Sequence, residues 1–136
     1  MLEVELSRII IDEKRQDQII VLKEKGGTRQ FPIVIGFLEA SSIKMRLAGL
    51  QPPRPLTHDL LTDVIMALEA ELEYIVIDKI ENNTFFAKLV LHDNGNEEVV
   101  VDARPSDAIA VAVRCGADIY VEEDVLKQAA LINTPE

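Results

Sequence analysis

Val99-Val100-Val101-Asp102-Ala103-Arg104-Pro105-Ser106-Asp107-Ala108-Ile109-Ala110-Val111-Ala112-Val113-Arg114-Cys115-Gly116 is the stretch that decides the fold. The three valines read as a β-strand, because β-branched side chains fit a pleated surface. The polar group Asp102–Asp107 breaks the run, and Pro105 or Ser106 starts a helix that Gly116 stops. Six apolar residues in a row, Ala108–Val113, also fit a strand; the start and stop signals and the alanines favour a helix. Such a helix is apolar all round and must be covered on most sides.

Working outward, the same order occurs earlier. Leu2–Ile11 reads as a strand, Asp12–Asp17 as a turn and Ile19–Leu22 as a second strand. Gly26-Gly27 marks a hairpin, since both glycines tolerate positive φ. Phe31–Ile35 is a third strand, and Ala40, Ile43, Leu47 and Leu50 then fall at helical spacing, predicting a helix over 37–48 with Gly49 just past its end. Gln51-Pro52-Pro53-Arg54-Pro55 is a stiff extended connector, because three prolines fix φ and lack a donor. Thr57 is the expected N-cap of a helix over 58–70, whose apolar positions are Leu60, Leu61, Val64, Ile65 and Leu68. Strands follow at Tyr74–Ile80, Phe85–Leu91 and Val99–Val101, with turns at Asn82-Asn83 and Asp93–Asn96. Past Gly116, Ile119–Val121 is a short strand and Glu122–Leu131 a terminal helix with acids in its first turn. The expectation is an α+β fold: a mixed, mostly antiparallel sheet from two β-meander-plus-helix halves, with three to four helices. The 136 residues make one domain, with a pseudo-repeat of 1–70 and 71–131.

Composition narrows the function. The chain carries 24 acids against 14 bases, a net charge of −10. Residues 1–67 hold nine of each, so the whole excess sits in 68–136, with fifteen acids and five bases. No Lys/Arg run supplies the basic footprint of a tight nucleic-acid binder. Aromatic residues are 4% with no Trp, too few for a single-strand stacking platform. The lone Cys115 rules out a multi-Cys zinc site or an internal disulfide. There is no membrane-length apolar run and no signal-peptide pattern at MLEVELSRII, which predicts a cytoplasmic protein.

Three junctions are polar where the apolar pattern gives no reason: Glu39, Arg54–Asp59, and Asp102–Asp107. If the halves are related by pseudo-symmetry, these junctions meet. Glu39, Asp59, Asp102 and Asp107 would then offer oxygen ligands to a divalent cation such as Mg²⁺ or Mn²⁺, which activates water and stabilises phosphoryl oxygens. The candidate catalytic residues are His58, Asp59, Asp102 and Asp107; Arg54 and Arg104 are candidate phosphate binders; Glu39, Asp102 and Asp107 are candidate metal ligands. Each has a structural alternative. Acids in first turns stabilise helices by roughly 0.3–1 kcal/mol with no further role. Thr57 and Ser106 read as caps, and the arginines can pair with Asp102 or Asp107 to fix the loops. His92 reads as solvated, Glu69, Glu71 and Glu73 as a solvated face, and Cys115 as an inert core residue. No phosphate-binding Gly-rich loop, HExxH, EF-hand, GxSxG or CxxC is present.

Four segments, PIVIG (32–36) with Glu39-Ala40, PRPLTHDLL (53–61), NTFFA (83–87) and DARPSDAIA (102–110), resemble the bifunctional nuclease domain family. The resemblance runs in order over about residues 2–125, with Phe86 where the family pattern has Tyr. It implies a compact α+β protein that self-associates as a homo-oligomer. It also implies nuclease function: hydrolysis of RNA or DNA phosphodiesters with low sequence specificity, on the DNase and RNase activity attributed to plant members. It assigns no nucleophile or metal ligand. In that reading Asp102→Ala or His58→Ala lowers cleavage. The alternative is a non-enzymatic oligomeric module that binds a small anion or a protein partner. The net charge and the apolar helix at Ala108–Val113 favour it.

Overall fold

The computed structural model describes residues 1–12 and 14–132, with backbone alone for 130–132. Eleven elements run in the order β1 (Leu2–Ile10), β2 (Asp17–Glu24), β3 (Gln30–Gly36), α1 (Phe37–Leu47), α2 (Thr57–Ala67), β4 (Glu71–Glu81), β5 (Thr84–His92), β6 (Glu98–Ala103), α3 (Pro105–Cys115), β7 (Asp118–Val121) and α4 (Glu123–Ile132). The strands form one seven-stranded sheet, ordered β3-β2-β1-β7-β4-β5-β6. Every neighbouring pair is antiparallel except β4 with β7. The architecture is therefore α+β on a mixed, mostly antiparallel sheet, as the sequence predicts. The two meanders hold opposite ends of the sheet, and β7 lies between them.

Alternation fixes the faces. Ile20, Leu22, Phe31, Ile33, Ile35, Leu72, Ile75, Ile77, Ala87, Leu89 and Leu91 turn to one buried core. Phe31 and Phe85 stack with centroids 5.8 Å apart, so β3 and β5 approach each other although they lie far apart in the sheet order. Helix α3 crosses this core. Ala108–Ala112 are fully buried, and α1, α2, β4 and β5 all pack on the helix. Its apolar run is thus satisfied inside one chain and needs no second copy to cover it.

The ends of the helices differ from expectation in instructive ways. α1, α2 and α3 all close with a 6→1 backbone bond: Leu50 N–H to Met45 O, Ala70 N–H to Ile65 O, and Ala117 N–H to Ala112 O, each 3.0 Å. In α1 and α3 the left-handed residue is glycine, Gly49 at φ 73° and Gly116 at φ 68°. In α2 it is Glu69, at φ 59°. No glycine marks that stop, so the sequence carries the helix to 70; it ends at Ala67 and β4 begins at Glu71. An L-residue in this region is strained by roughly 1–2 kcal/mol. Glu69→Gly is expected to raise the unfolding free energy by about 1 kcal/mol, read from urea denaturation. A neutral or destabilising result would mean that the Glu69 side chain offsets the strain.

The expected caps also move. Leu56 and Arg104 occupy the N-cap positions, and no side chain caps either helix. Thr57 and Pro105 are first helical residues instead. Asp59 Oδ2 accepts the Leu56 N–H at 3.0 Å, and Ser106 is buried. Cys115 is exposed, because it is the last residue of α3 and lies past the buried stretch Pro105–Ala112.

Candidate functional site

The three polar junctions supply part of one network, and two residues the sequence reading passed over complete it. Arg114, at the end of α3, has its side chain 4% exposed. Its Nε donates to Asp59 Oδ1 at 2.7 Å, its Nη1 to Ala110 O at 2.8 Å and its Nη2 to Ser42 Oγ at 2.9 Å. Ser42 Oγ lies 2.8 Å from His58 Nδ1, and His58 Nε2 lies 2.9 Å from Asp107 Oδ1. Arg104 Nε then donates to Asp107 Oδ2 at 2.8 Å and its Nη2 to Glu39 Oε1 at 3.0 Å.

The proton positions follow from what each group can do. An ionised Asp107 only accepts, so His58 Nε2 carries a proton. Ser42 Oγ accepts from Arg114 and faces His58 Nδ1. Ser, His and Asp in contact have the composition of a hydrolytic triad, yet Ser42 is buried and its Oγ is held by a guanidinium. It is a link between helices α1, α2 and α3. Both His58 nitrogens are engaged, so its ring is not open to a substrate proton in this arrangement.

The exposed end of the network is Arg104. Its side chain is 66% exposed, and two carboxylates hold one edge of the guanidinium. The Nη1 group and the second Nη2 hydrogen remain for a ligand, a fork suited to two phosphate oxygens. Burial pushes the Asp107 carboxyl up, but the bonds from Arg104 and His58 together outweigh it and hold the group below the usual carboxylate range. Arg114 first, then the Leu56 amide, hold Asp59 low as well.

Arg104, Pro105 and Ser106 form one wall of a cleft of about 540 Å³. Pro32–Gly36 of β3 form the second wall, and Ile80 with Asn83–Phe85 the third. Three of the four segments that carry the family resemblance therefore meet on this cleft; the fourth, Pro53–Leu61, supports it from behind through His58. The uncapped first turn of α3 opens on the same wall, where backbone N–H groups favour an anion.

Two predicted residues are not brought here. Asp102 pairs with Lys88 at 3.0 Å. Lys88 alternates with core-facing Ala87 and Leu89, so Asp102 lies on the opposite face of the sheet from the helices. Arg54 is exposed in the proline connector and does not line the cleft. Glu39 and Asp107 are both spent on Arg104, so Glu39, Asp102 and Asp107 are not gathered as ligands. Among the described residues no group of three or more His, Cys, Asp or Glu could hold a metal ion. The donor set as folded does not fit a divalent cation. Asp59 lies behind the network on Arg114, and His92 Nδ1 pairs with Glu73 at 3.0 Å.

A fold of two meanders around a central apolar helix, with these strings on one cleft, defines a class. The bifunctional nuclease domain model matches residues 20–134, and the chain belongs to that family. It is 42% identical over 130 residues to an uncharacterized protein of Mycobacterium tuberculosis, covering 96% of this chain and 77% of that one. It is 32% identical over 107 residues to bifunctional nuclease 1 of Arabidopsis thaliana, covering 76% of this chain but 33% of the plant protein. Bifunctional nuclease 1 of Oryza sativa subsp. japonica is 26% identical over 118 residues, 84% of this chain and 35% of its own. Among the described residues no helix is long and apolar enough to cross a membrane.

Proposed function

We propose that this domain hydrolyses phosphodiester bonds of RNA or DNA with low sequence specificity, in the cleft between β3, the β4–β5 turn and the start of α3. The observation that carries the reading is the free edge of Arg104 beside the uncapped first turn of α3, on the wall of that cleft. Arg104 binds two phosphate oxygens and neutralises the charge that grows on them as water attacks phosphorus. The Ser106 and Asp107 amides add to that field. Asp107, with Oδ1 on His58 and Oδ2 on Arg104, holds the guanidinium in place from behind. The attacking water gives its proton to solvent as the P–O ester bond breaks, and the leaving oxygen takes one up from solvent, so turnover is slow.

One observation favours a second reading. Both His58 nitrogens are engaged within the protein, which suits a rigid anion-binding cleft that does not cleave. Affinity for nucleic acid is weak in either case, since a chain of net charge −10 offers one cleft arginine. A single phosphate contact gives a salt slope of roughly one.

Cleavage of labelled single-stranded RNA and duplex DNA tests this, with purified wild type, Asp107→Asn and Asp102→Ala in Mg²⁺, Mn²⁺ or EDTA. The expected result is a loss of about a hundredfold in Asp107→Asn, because Arg104 is no longer held in place, with Asp102→Ala unchanged. Equal cleavage by wild type and Asp107→Asn places the activity elsewhere. Saturable binding of the oligonucleotide without cleavage supports the second reading.

A further inference from the structure

The proposed chemistry uses the Arg104 wall of the cleft and gives no role to the wall formed by β3. Five consecutive residues of that strand, Pro32 to Gly36, line the cleft. Side chains of a strand alternate between two faces, so an unbroken run lines one cavity only where the strand presents its edge. β3 is the last strand of the sheet, and among the described residues no strand pairs with that edge. The hydrogen-bond phase says which groups it exposes. Glu24 N–H donates to Arg29 O at 2.9 Å, so Glu24 and Arg29 are a bonded pair of the β2–β3 ladder. Bonded and unbonded pairs alternate, which makes Leu22 with Phe31, Ile20 with Ile33 and Gln18 with Ile35 the bonded ones. Pro32, Val34 and Gly36 fall between them and turn their backbone groups away from β2. The missing N–H of Pro32 costs nothing there. The Pro32 carbonyl, the Val34 amide and carbonyl and the Gly36 amide therefore face the cleft, and among the described residues no hydrogen bond reaches them.

Unpaired amides and carbonyls in a row are a template for an extended backbone. This row is short. Pro32 has no N–H to continue it at one end, and the chain turns into α1 after Gly36 at the other. It suits the end of a chain rather than the middle of a long strand. Charge sets the direction. A Cβ on Gly36 would collide with Glu39 Oε2, and Glu39 Oε1 accepts from Arg104 Nη2 at 3.0 Å. The bare Gly36 thus lets Glu39 bring the free fork of Arg104 to the C-terminal end of β3. A segment lying parallel to β3 puts its own C-terminus there. Its last residue donates to Val34 O, and its carboxylate accepts from Gly36 N–H and Arg104. The residue two before donates to Pro32 O and accepts from Val34 N–H. Every free group on the edge is then met. Apolar side chains suit such a segment, because Ile80, Phe85 and Pro105 line the cleft beside it. A phosphodiester group meets Arg104, but it only accepts and leaves the Pro32 and Val34 carbonyls unmet. The folded edge of a second copy would have to enter between β3 and the walls at Asn83–Phe85 and Arg104–Ser106, where about 540 Å³ is open. A single extended segment needs no more than that.

We propose that the edge of β3 binds the free C-terminus of another polypeptide, its last three residues extended and apolar, parallel to β3, with the carboxylate on Arg104 and the Gly36 amide. The contact goes beyond the catalytic reading and does not rest on it, since no bond is cleaved. A peptide and an oligonucleotide compete for Arg104.

The probe is an array of synthetic pentapeptides with free C-termini, the last three residues running through Val, Ile, Leu, Thr and Phe, with no oligonucleotide present. A subset is expected to bind saturably. Amidation of the peptide C-terminus and Arg104→Ala are each expected to weaken that binding at least about tenfold, because each removes a charge-assisted hydrogen bond. Amide hydrogen exchange then places the peptide. In the free protein the Val34 and Gly36 amides are expected to exchange faster than those of Ile33 and Ile35, which are bonded to β2. With peptide bound, protection at Val34 and Gly36 is expected to rise at least about tenfold, with Ile33 and Ile35 unchanged. Val34→Pro removes a donor that faces away from β2, and is expected to weaken binding about tenfold. If that variant fails to fold, exchange in the wild type stands in its place. No saturable binding by any member up to about 1 mM overturns the proposal. Equal affinity for amidated peptides overturns it too, since the carboxylate sets the direction. So does protection that arises elsewhere, such as the open edge of β6 with its exposed Val99, Val100 and Val101. None of these readouts involves cleavage, so the failure of either reading is told from the failure of the other.

Discussion

Arg114→Met is expected to lower the unfolding free energy by about 3–5 kcal/mol, the range for removing one partner of a buried charge pair. The side chain is 4% exposed and serves four acceptors: Asp59, Ala110 O, and the hydroxyl and carbonyl of Ser42. Methionine fills similar volume but makes none of these bonds. Asp59 then keeps only the Leu56 amide, and Ser42 loses a donor on a buried oxygen. Those unmet acceptors, rather than lost packing, account for most of the cost. Urea unfolding of wild type and variant measures it. A loss below about 1 kcal/mol would mean that the network contributes little and that α3 is held by its alanines alone.

The same pairing sets an acid response. The carboxyls of Asp59 and Asp107 are held below their ordinary value. A depressed carboxyl gives stability that is present above its unfolded pKa, about 3.9 for aspartate. That stability is lost as pH falls through the lower folded value. Wild-type stability is therefore expected to drop steeply below about pH 4. The Arg114→Met variant, in which Asp59 has lost its main partner, is expected to drop less steeply. Equal acid slopes would assign the depression to other groups.

Arg104→Ala is the second large effect, a loss of about a hundred- to a thousandfold in phosphodiester cleavage, in line with removing one preorganised donor aimed at developing charge. Its cost to stability is small, because the side chain is mostly exposed and such pairs contribute about 0–1 kcal/mol. The separation of the two readouts is the point of the experiment. Arg104→Lys is expected to recover little, since an ammonium cannot hold Glu39, Asp107 and two phosphate oxygens at once. Full activity in Arg104→Lys would mean that positive charge alone is needed, and not the fork. Full activity in Arg104→Ala would remove the cleft from the account.

The architecture was legible because this sequence states its periods plainly. Val99–Val101 into Pro105–Gly116 reads as strand then helix, and the strands of both meanders fall close to where the sequence puts them. The end of α2 was hidden because Glu69 does the work of a glycine there. The site was half legible. Glu39, His58, Asp59, Arg104 and Asp107 were singled out as polar residues at element junctions, and they share one network. Asp102 was drawn in because it lies five residues from Asp107 in sequence. Strand pleat sends its side chain to the other face, to Lys88. Ser42 and Arg114 were missed because each reads as ordinary alone. The signal lay in their setting: a serine on the buried face of α1 between Ala40 and Ile43, and an arginine closing an otherwise apolar α3. A buried polar group needs a partner, and each supplies part of the other's.

The most direct test of the central claim, that the phosphodiester sits against Arg104 and the first turn of α3, is an amide ¹H–¹⁵N titration with a short oligonucleotide that carries a non-hydrolysable phosphorothioate link. The account predicts shifts confined to the cleft, at Gly36, Asn83, Thr84, Arg104 and Ser106, with the Arg104 Nε signal moving furthest. Shifts that instead centre on the groove of Met45, Pro53 and Asp63, or on the Lys88–Asp102 face of the sheet, would contradict it.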